Sequence, residues 1–285
     1  MKKKLTLCLS LLLVFTLLFS ASCGGGAKNI SVVVREDGSG TKSAFMEIIG
    51  LKGKADVSGA ITATGTTAVL AEVKSNPYAI AYESLGYVTS EVKKLKIDGV
   101  EATVENIKNG TYKIARPLQI VYKEATLENP LYKAYYDFLV SEDAQKIIRD
   151  EGYVSMLDNA PAYTVNPTLS GKITLSGSTS LQPLMILLAE KFQSLQSSVT
   201  VEVGGGGSGQ GYNNAQSDVS NFGMISESFK QEKAPDCTSY IVAKDGIAVI
   251  VNKTNALEDI SLATLKSIYD RDAGESAPKT WDDVK

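Results

Sequence analysis

The chain reads as an α/β protein in which strands feed directly into helices, and three observations predict this class. Apolar, β-branched runs of strand length such as Ile30 to Val34, Lys172 to Leu175 and Val199 to Val203 each end in a turn rich in glycine and hydroxyl residues. Those turns open into segments with apolar residues at helical spacing. The alternation recurs across 285 residues, which implies mainly parallel sheets with helices on their faces.

The elements follow in chain order. Lys2 to Lys4, the apolar run Leu5 to Phe19 and Ser20-Ala21-Ser22-Cys23 predict an export signal over residues 1–22 with lipoprotein-type processing. Cys23 would then carry the lipid, and residues 23–29, with Gly24 to Gly26, would form a flexible tether. Ser20 stands where leucine is usual in such a site, so an ordinary cleaved signal and an uncleaved anchor are alternative readings. The strand from Ile30 to Val34 runs into Arg35-Glu36-Asp37-Gly38-Ser39-Gly40-Thr41 and a helix from Lys42 to Ile49. Amides at a helix N-terminus carry partial positive charge, and glycine lets an oxyanion approach the backbone, so this corner is a candidate anion site. Taken singly, it reads equally as a serine-capped turn with a surface salt bridge.

Two further corners repeat the logic. Lys172 to Leu175 leads into Ser176-Gly177-Ser178-Thr179-Ser180 and an amphipathic run with Leu181, Leu184, Leu188, Phe192 and Leu195. Val199 to Val203 leads into Gly204-Gly205-Gly206-Gly207-Ser208-Gly209, which matches a dinucleotide fingerprint only because glycines are so dense there and lacks the Gly-Lys-Ser/Thr ending of a nucleotide loop. Three such corners fit one shared anionic ligand. Elsewhere, Ala134 to Ile148 carries aromatics and aliphatics at helical spacing through Tyr135, Phe138, Leu139 and Ile147, a stripe read as core packing, and Ser261 caps a helix with Leu262, Leu265 and Ile268 on one face.

Composition narrows the classes. A content of 44% hydrophobic and 21% charged residues is ordinary for a globular chain long enough for two modest lobes. The formal charge of −3 becomes −6 once the three signal lysines are removed, which disfavours nucleic acid as a partner. The chain contains no histidine, so Ser-His-Asp catalysis and His-based metal sites are excluded. Of three cysteines, Cys8 lies in the signal and Cys237 is left without a disulfide partner if Cys23 is acylated.

Together these segments resemble the substrate-binding protein of bacterial phosphate ABC importers, a family of the two-lobed periplasmic-binding-protein superfamily. The carriers are Arg35 to Thr41, Gly177 to Ser180, Gly205 to Gly209, Ala243 to Asn252, Ser84 to Val88, and the run from Asp98 to Leu118. The order of the motifs is reversed relative to the family, so the resemblance implies a circularly permuted chain in which Lys285 would join Ile30, and Ser155 to Ser170 would bridge the family's usual ends. It implies two hinge strands at Ala115 to Tyr122 and Ile247 to Asn252. These divide the chain into a discontinuous lobe of residues 30–115 plus 252–285 and a contiguous lobe of residues 116–251.

The resemblance also implies roles. Arg35 would pair with the anion, Asp37 would orient Arg35, and Ser39, Gly40 and Thr41 would donate from one lobe while Thr179, Ser180 and Ser208 donate from the other. The family's carboxylate acceptor, which favours protonated phosphate over sulfate, falls at Asn221, with Asp218 one turn away as substitute. The implied function is a lipid-anchored, extracytoplasmic monomer at the outer face of the cytoplasmic membrane. It would deliver inorganic phosphate to the membrane permease of an ABC importer, with no cofactor, no metal and no covalent chemistry. A binder of another tetrahedral oxyanion, a surface adhesion or sensory protein keeping the fold, and a serine-lysine hydrolase built on Ser180 or Ser208 are the rival readings.

Overall fold

The computed structural model describes residues 28–284, so the expected signal, Cys23 and the glycines after it lie outside the described residues. The first apolar run forms β1 (Ser31–Arg35); Gly38, at φ 82°, then turns the chain into α1 (Gly40–Ile48), capped by Ser39. β2 (Ile61–Ala63), α2 (Thr66–Ser75) and β3 (Ala79–Ser84) follow, and both new strands pair parallel with β1. Short strands β4 (Lys93–Lys94) and β5 (Lys96–Ile97) and helix α3 (Val104–Lys108) lead to β6 (Ala115–Tyr122). Beyond it come α4 (Pro130–Leu139), α5 (Glu142–Asp150), β7 (Val154–Ser155), β8 (Gly171–Gly177), α6 (Gln182–Leu195), β9 (Val199–Gly206), α7 (Ser208–Gln216) and β10 (Phe222–Ile225). The long β11 (Thr238–Val251) returns the chain to β12 (Asp259–Ile260) and α8 (Leu262–Tyr269), which Ser261 caps.

The strand order is β2-β1-β3-β11-β6-β10-β8-β9. β11 joins the halves: Thr238 to Gly246 pair antiparallel with β6, and Ile247 to Val251 pair antiparallel with β3. Two main apolar cores result. One gathers Val33, Phe45, Tyr82, Ile250 and Ile268, the other Leu118, Phe138, Ile173, Phe192 and Met224. Each such side chain stabilises its core by about 1.5 to 3 kcal/mol on burial, which lets both halves hold their own shape.

Three expectations need correction or refinement. Ile247 to Val251 pack in the first core, so the crossing falls at Gly246 and not at 251/252, because Ile247 already pairs with Ser84. The stripe from Ala134 to Ile148 is two helices, broken where the Ser141 hydroxyl donates to the Phe138 carbonyl at 2.6 Å and the chain restarts as α5. Lys28 and Asn29, expected as the end of a tether, are tied to the other end of the chain. Asn29 bridges Thr280, Trp281 N donates to Lys28 O at 3.0 Å, and Ile30 N donates to Lys279 O at 2.9 Å.

Candidate functional site

Parallel strands deliver their C-terminal ends, and the helix N-termini that follow, to one edge of a sheet. Here β1, β8, β9 and β10 bring Arg35 to Thr41, Gly177 to Ser180, Gly206 to Ser208 and Ser226 to that edge, and the loops touch directly. Gly209 N donates to Gly38 O at 3.0 Å, and Gly207 N to Gly177 O at 2.8 Å. Gly177, at φ 135°, admits no side chain, since a Cβ would lie 2.3 Å from the Met224 carbonyl and 2.7 Å from the Gly211 Cα. Gly40 is crowded by the facing half instead, since a Cβ there would sit 2.2 Å from Ser208 Oγ.

Arg35 is at the centre and is 1% exposed. Its Nε and Nη2 donate to the two Glu36 oxygens at 2.9 and 3.0 Å, Nη1 donates to Glu83 Oε2 at 3.1 Å, and Nη2 also reaches Thr179 Oγ1 across the cleft at 3.0 Å. Burial opposes its charge, but the hydrogen bonds and negative charges of Glu36 and Glu83 outweigh it and hold the guanidinium more firmly protonated than usual. Burial likewise opposes the Glu36 charge, yet the Arg35 contacts hold that carboxyl below its ordinary range.

A chain of hydroxyls links the halves. Thr41 Oγ1 lies 2.8 Å from Ser180 Oγ, which donates to Glu83 Oε1 at 3.3 Å. Glu83 also accepts from Ser84 N at 2.8 Å and is fully buried. On the far side of Gly40, Ser208 Oγ is 3.3 Å from Ser226 Oγ and accepts from Ser226 N at 3.0 Å. A second buried guanidinium, Arg116, donates to Thr41 Oγ1 at 2.6 Å, to the Ser226 carbonyl at 3.0 Å and to Asp245 Oδ2 at 3.2 Å. Burial pushes the Asp245 carboxyl up, while Arg116 and the Ser84 hydroxyl, 2.8 Å away, pull it down.

At the rim Glu227, 2% exposed, accepts from Lys230 and Lys233 of its own half at 2.7 Å each and from Ser43 of the other half at 2.5 Å. Burial raises its carboxyl, but these three hydrogen bonds outweigh burial and hold it below the ordinary value.

The structure thus brings together Arg35, Ser39, Gly40, Thr41, Thr179, Ser180 and Ser208, all singled out from the sequence, and separates two others from them. Asp37 does not orient Arg35. Its carboxylate is fully exposed and pairs with Lys42 at 2.8 Å, because Gly38 turns the chain before Asp37 can fold back. Asn221 is not in the cluster either. It precedes β10 at the opposite edge of the sheet, where its carbonyl accepts from Thr174 N and Oγ1 at 2.8 and 3.0 Å. Asp218 lies at that edge as well, paired with Lys123 at 2.6 Å. The residues not foreseen as site members are Glu83, Arg116, Ser226, Glu227 and Asp245. A charged residue inside an apolar strand run, as in Ala79-Ile80-Ala81-Tyr82-Glu83, was the available signal, since such a group needs a buried partner.

The PBP superfamily domain profile matches residues 16–143 and 163–285. The phosphate-binding protein PstS 2 of Streptococcus agalactiae is 40% identical over 249 residues, covering 84% of each chain. The chain belongs to the PstS family of the PBP superfamily. PstS 2 of Streptococcus pneumoniae is 34% identical over 273 residues, covering 93% of this chain and 91% of that one. Among solved structures, a phosphate-binding protein of a phosphate ABC transporter from S. pneumoniae superposes with a TM-score of 0.72 at 33% identity, covering 90% of this chain and all of that one. This PstS-family chain therefore shares a two-lobed α/β fold with that protein, and its buried polar cluster sits between the lobes.

Proposed function

We propose that the chain captures inorganic phosphate between its lobes and hands it to the membrane permease of an ABC importer; its relatives are named as phosphate-binding proteins, one of them of a phosphate ABC transporter. The observation that carries this reading is Arg35, a buried guanidinium on one lobe that donates directly to Thr179 on the other. A tetrahedral oxyanion would take over contacts that these side chains now make with one another, accepting from Arg35, Thr41, Thr179, Ser180 and the first amides of α1, which have no partner within the helix. Glu36 and Glu83 already offset the positive charge of Arg35, so retention depends on the placement of donors more than on net attraction.

Glu83 supports phosphate specifically. A carboxylate facing a bound oxyanion repels it unless a proton lies between them, and phosphate keeps a proton near neutral pH where sulfate does not. Competitive titration should show phosphate bound and sulfate excluded, and Glu83→Gln should narrow that preference at least about tenfold, equivalent to about 1.4 kcal/mol. Equal binding of both anions by the native chain would count against phosphate as the ligand.

The same reading includes export, anchoring through Cys23, action as a monomer and the absence of covalent chemistry. Among the described residues no helix is long and apolar enough to cross a membrane. Globomycin-sensitive processing and radiolabelled palmitate incorporation that depend on Cys23 would test the anchor. The permuted order belongs here too. It is supported by the contacts of Lys28 to Ile30 with Lys279 to Trp281, which hold the two ends of the described chain together. A version opened at Gly171 and closed from Lys285 to Ile30 should bind phosphate like the native chain; failure to fold would remove the permutation from the reading.

A further inference from the structure

Arg116 and Asp245 face each other on β6 and β11, one residue before β11 leaves β6 for β3. Both are 2% exposed. Their pair reaches into both sides of the cleft. Arg116 touches Thr41 of α1 and the carbonyl of Ser226 after β10, and Asp245 accepts from Ser84 at the end of β3. Arg116 Nε has no partner among the described residues.

The hydrogen-bond directions follow from chemistry. A guanidinium only donates, so Thr41 Oγ1 accepts from Arg116. A carboxylate at Glu83 only accepts, so Ser180 donates to Glu83 and cannot also donate to Thr41. The hydrogen of Thr41 must therefore point at Ser180, into the cleft. The run is directional from Arg116 through Thr41 and Ser180 to Glu83, which Arg35 holds from its other side.

We infer that Arg116, fixed to Asp245 where the strands cross between lobes, is a positioning residue that commits the hydroxyl hydrogen of Thr41 to the bound oxyanion. Without Arg116, Thr41 is free to rotate and present a lone pair to the anion, which repels it. The inference rests on the phosphate-binding reading and deepens it, since it makes the strand crossing part of the site.

A double-mutant cycle on phosphate affinity tests it. The paired change Arg116→Gln with Asp245→Asn leaves no buried charge uncompensated, and it should weaken phosphate binding about tenfold, as expected for one misdirected buried hydrogen bond. Thr41→Val should cost a similar factor, and the combined variant no more than the larger of the two, because both remove the same donor. Thr41→Ser, which keeps the hydroxyl, should restore sensitivity to the Arg116 change. A merely structural role for Arg116 would lower the melting temperature and weaken binding equally with or without the Thr41 hydroxyl. If the paired variant does not fold, Arg116→Lys serves, since one ammonium cannot span Thr41 and Asp245 together and should give the same loss. Multiplicative losses across the cycle, or native affinity in Arg116→Lys, would overturn the inference while leaving phosphate binding standing. A native chain that ignores phosphate would overturn both.

Discussion

The two ends of β10 carry polar residues of similar size and serve opposite purposes. At its start Asn221 spends its carbonyl on Thr174, beside a groove lined by Lys123, Asn129, Tyr132 and Asp218. At its end Ser226 is buried, with its amide on Ser208 and its carbonyl on Arg116. Five residue steps of extended chain, roughly 16 Å, separate them. The difference shows that position along a parallel strand outranks side-chain chemistry: only the C-terminal edge meets the helix N-termini and the facing lobe.

Changes at that edge should therefore matter most. Arg35→Ala should weaken phosphate binding by about 2 to 5 kcal/mol, and it should also destabilise the fold by about 3 to 5 kcal/mol because Glu83 is left buried without a cation. Adding Glu83→Gln should restore the melting temperature without restoring affinity; recovery of both would mean that the guanidinium serves the fold alone. A smaller loss is expected from Gly40→Ala. Its methyl group would meet Ser208 of the facing lobe, so the variant should stay folded, bind at least about tenfold more weakly and show a larger radius of gyration with phosphate by X-ray scattering.

The rim contributes through pH. Glu227 has a lower pKa in the fold than its ordinary value of 4.5, so its stabilisation is full above that value and is lost as pH falls through the folded pKa. Glu227→Gln should flatten the fall in melting temperature on acidification below about 4.5, and an unchanged acid limb would place the sensitivity elsewhere. The smallest effect belongs to the other end of β10. Asn221→Asp should leave the ratio of phosphate to sulfate affinity within about twofold of native, since this edge does not meet the cleft and a surface change far from such features is worth about 0.5 kcal/mol or less. A sharpened preference would bring Asn221 back into the site.

Much of the fold was legible because strand-to-helix corners announce themselves locally. Gly38, Gly177 and Gly207 sit at positive φ where the sequence already showed turns, and Ser39 caps α1. The hydroxyls at Thr41, Thr179, Ser180 and Ser208 were legible for the same reason. Glu83, Arg116 and Asp245 were not, because their meeting depends on which strands pair. Nothing in the local sequence tells that Asp245 lies opposite Arg116 or that Ser84 lies opposite Ile247. Asp37 misled for a related reason, since spacing from Arg35 does not reveal the direction in which Gly38 turns the chain. The break at Ser141 was hidden because Val140 and Ser141, between α4 and α5, include neither the proline nor the glycine that marks a helix end in a sequence.

The route of β11 also dictates an order of events during synthesis. The half spanning residues 116–246 is continuous and contains all of its own core, so it can fold once Ala243 has emerged from the ribosome. The half that begins at Ser31 cannot. Its sheet lacks the strand Ile247 to Val251 beside β3, and its core lacks Leu265, Ile268 and Tyr269, until α8 has been made. β1 is therefore made well before it can become native, and Val33 and Val34 must wait as an exposed apolar edge until β11 and α8 arrive.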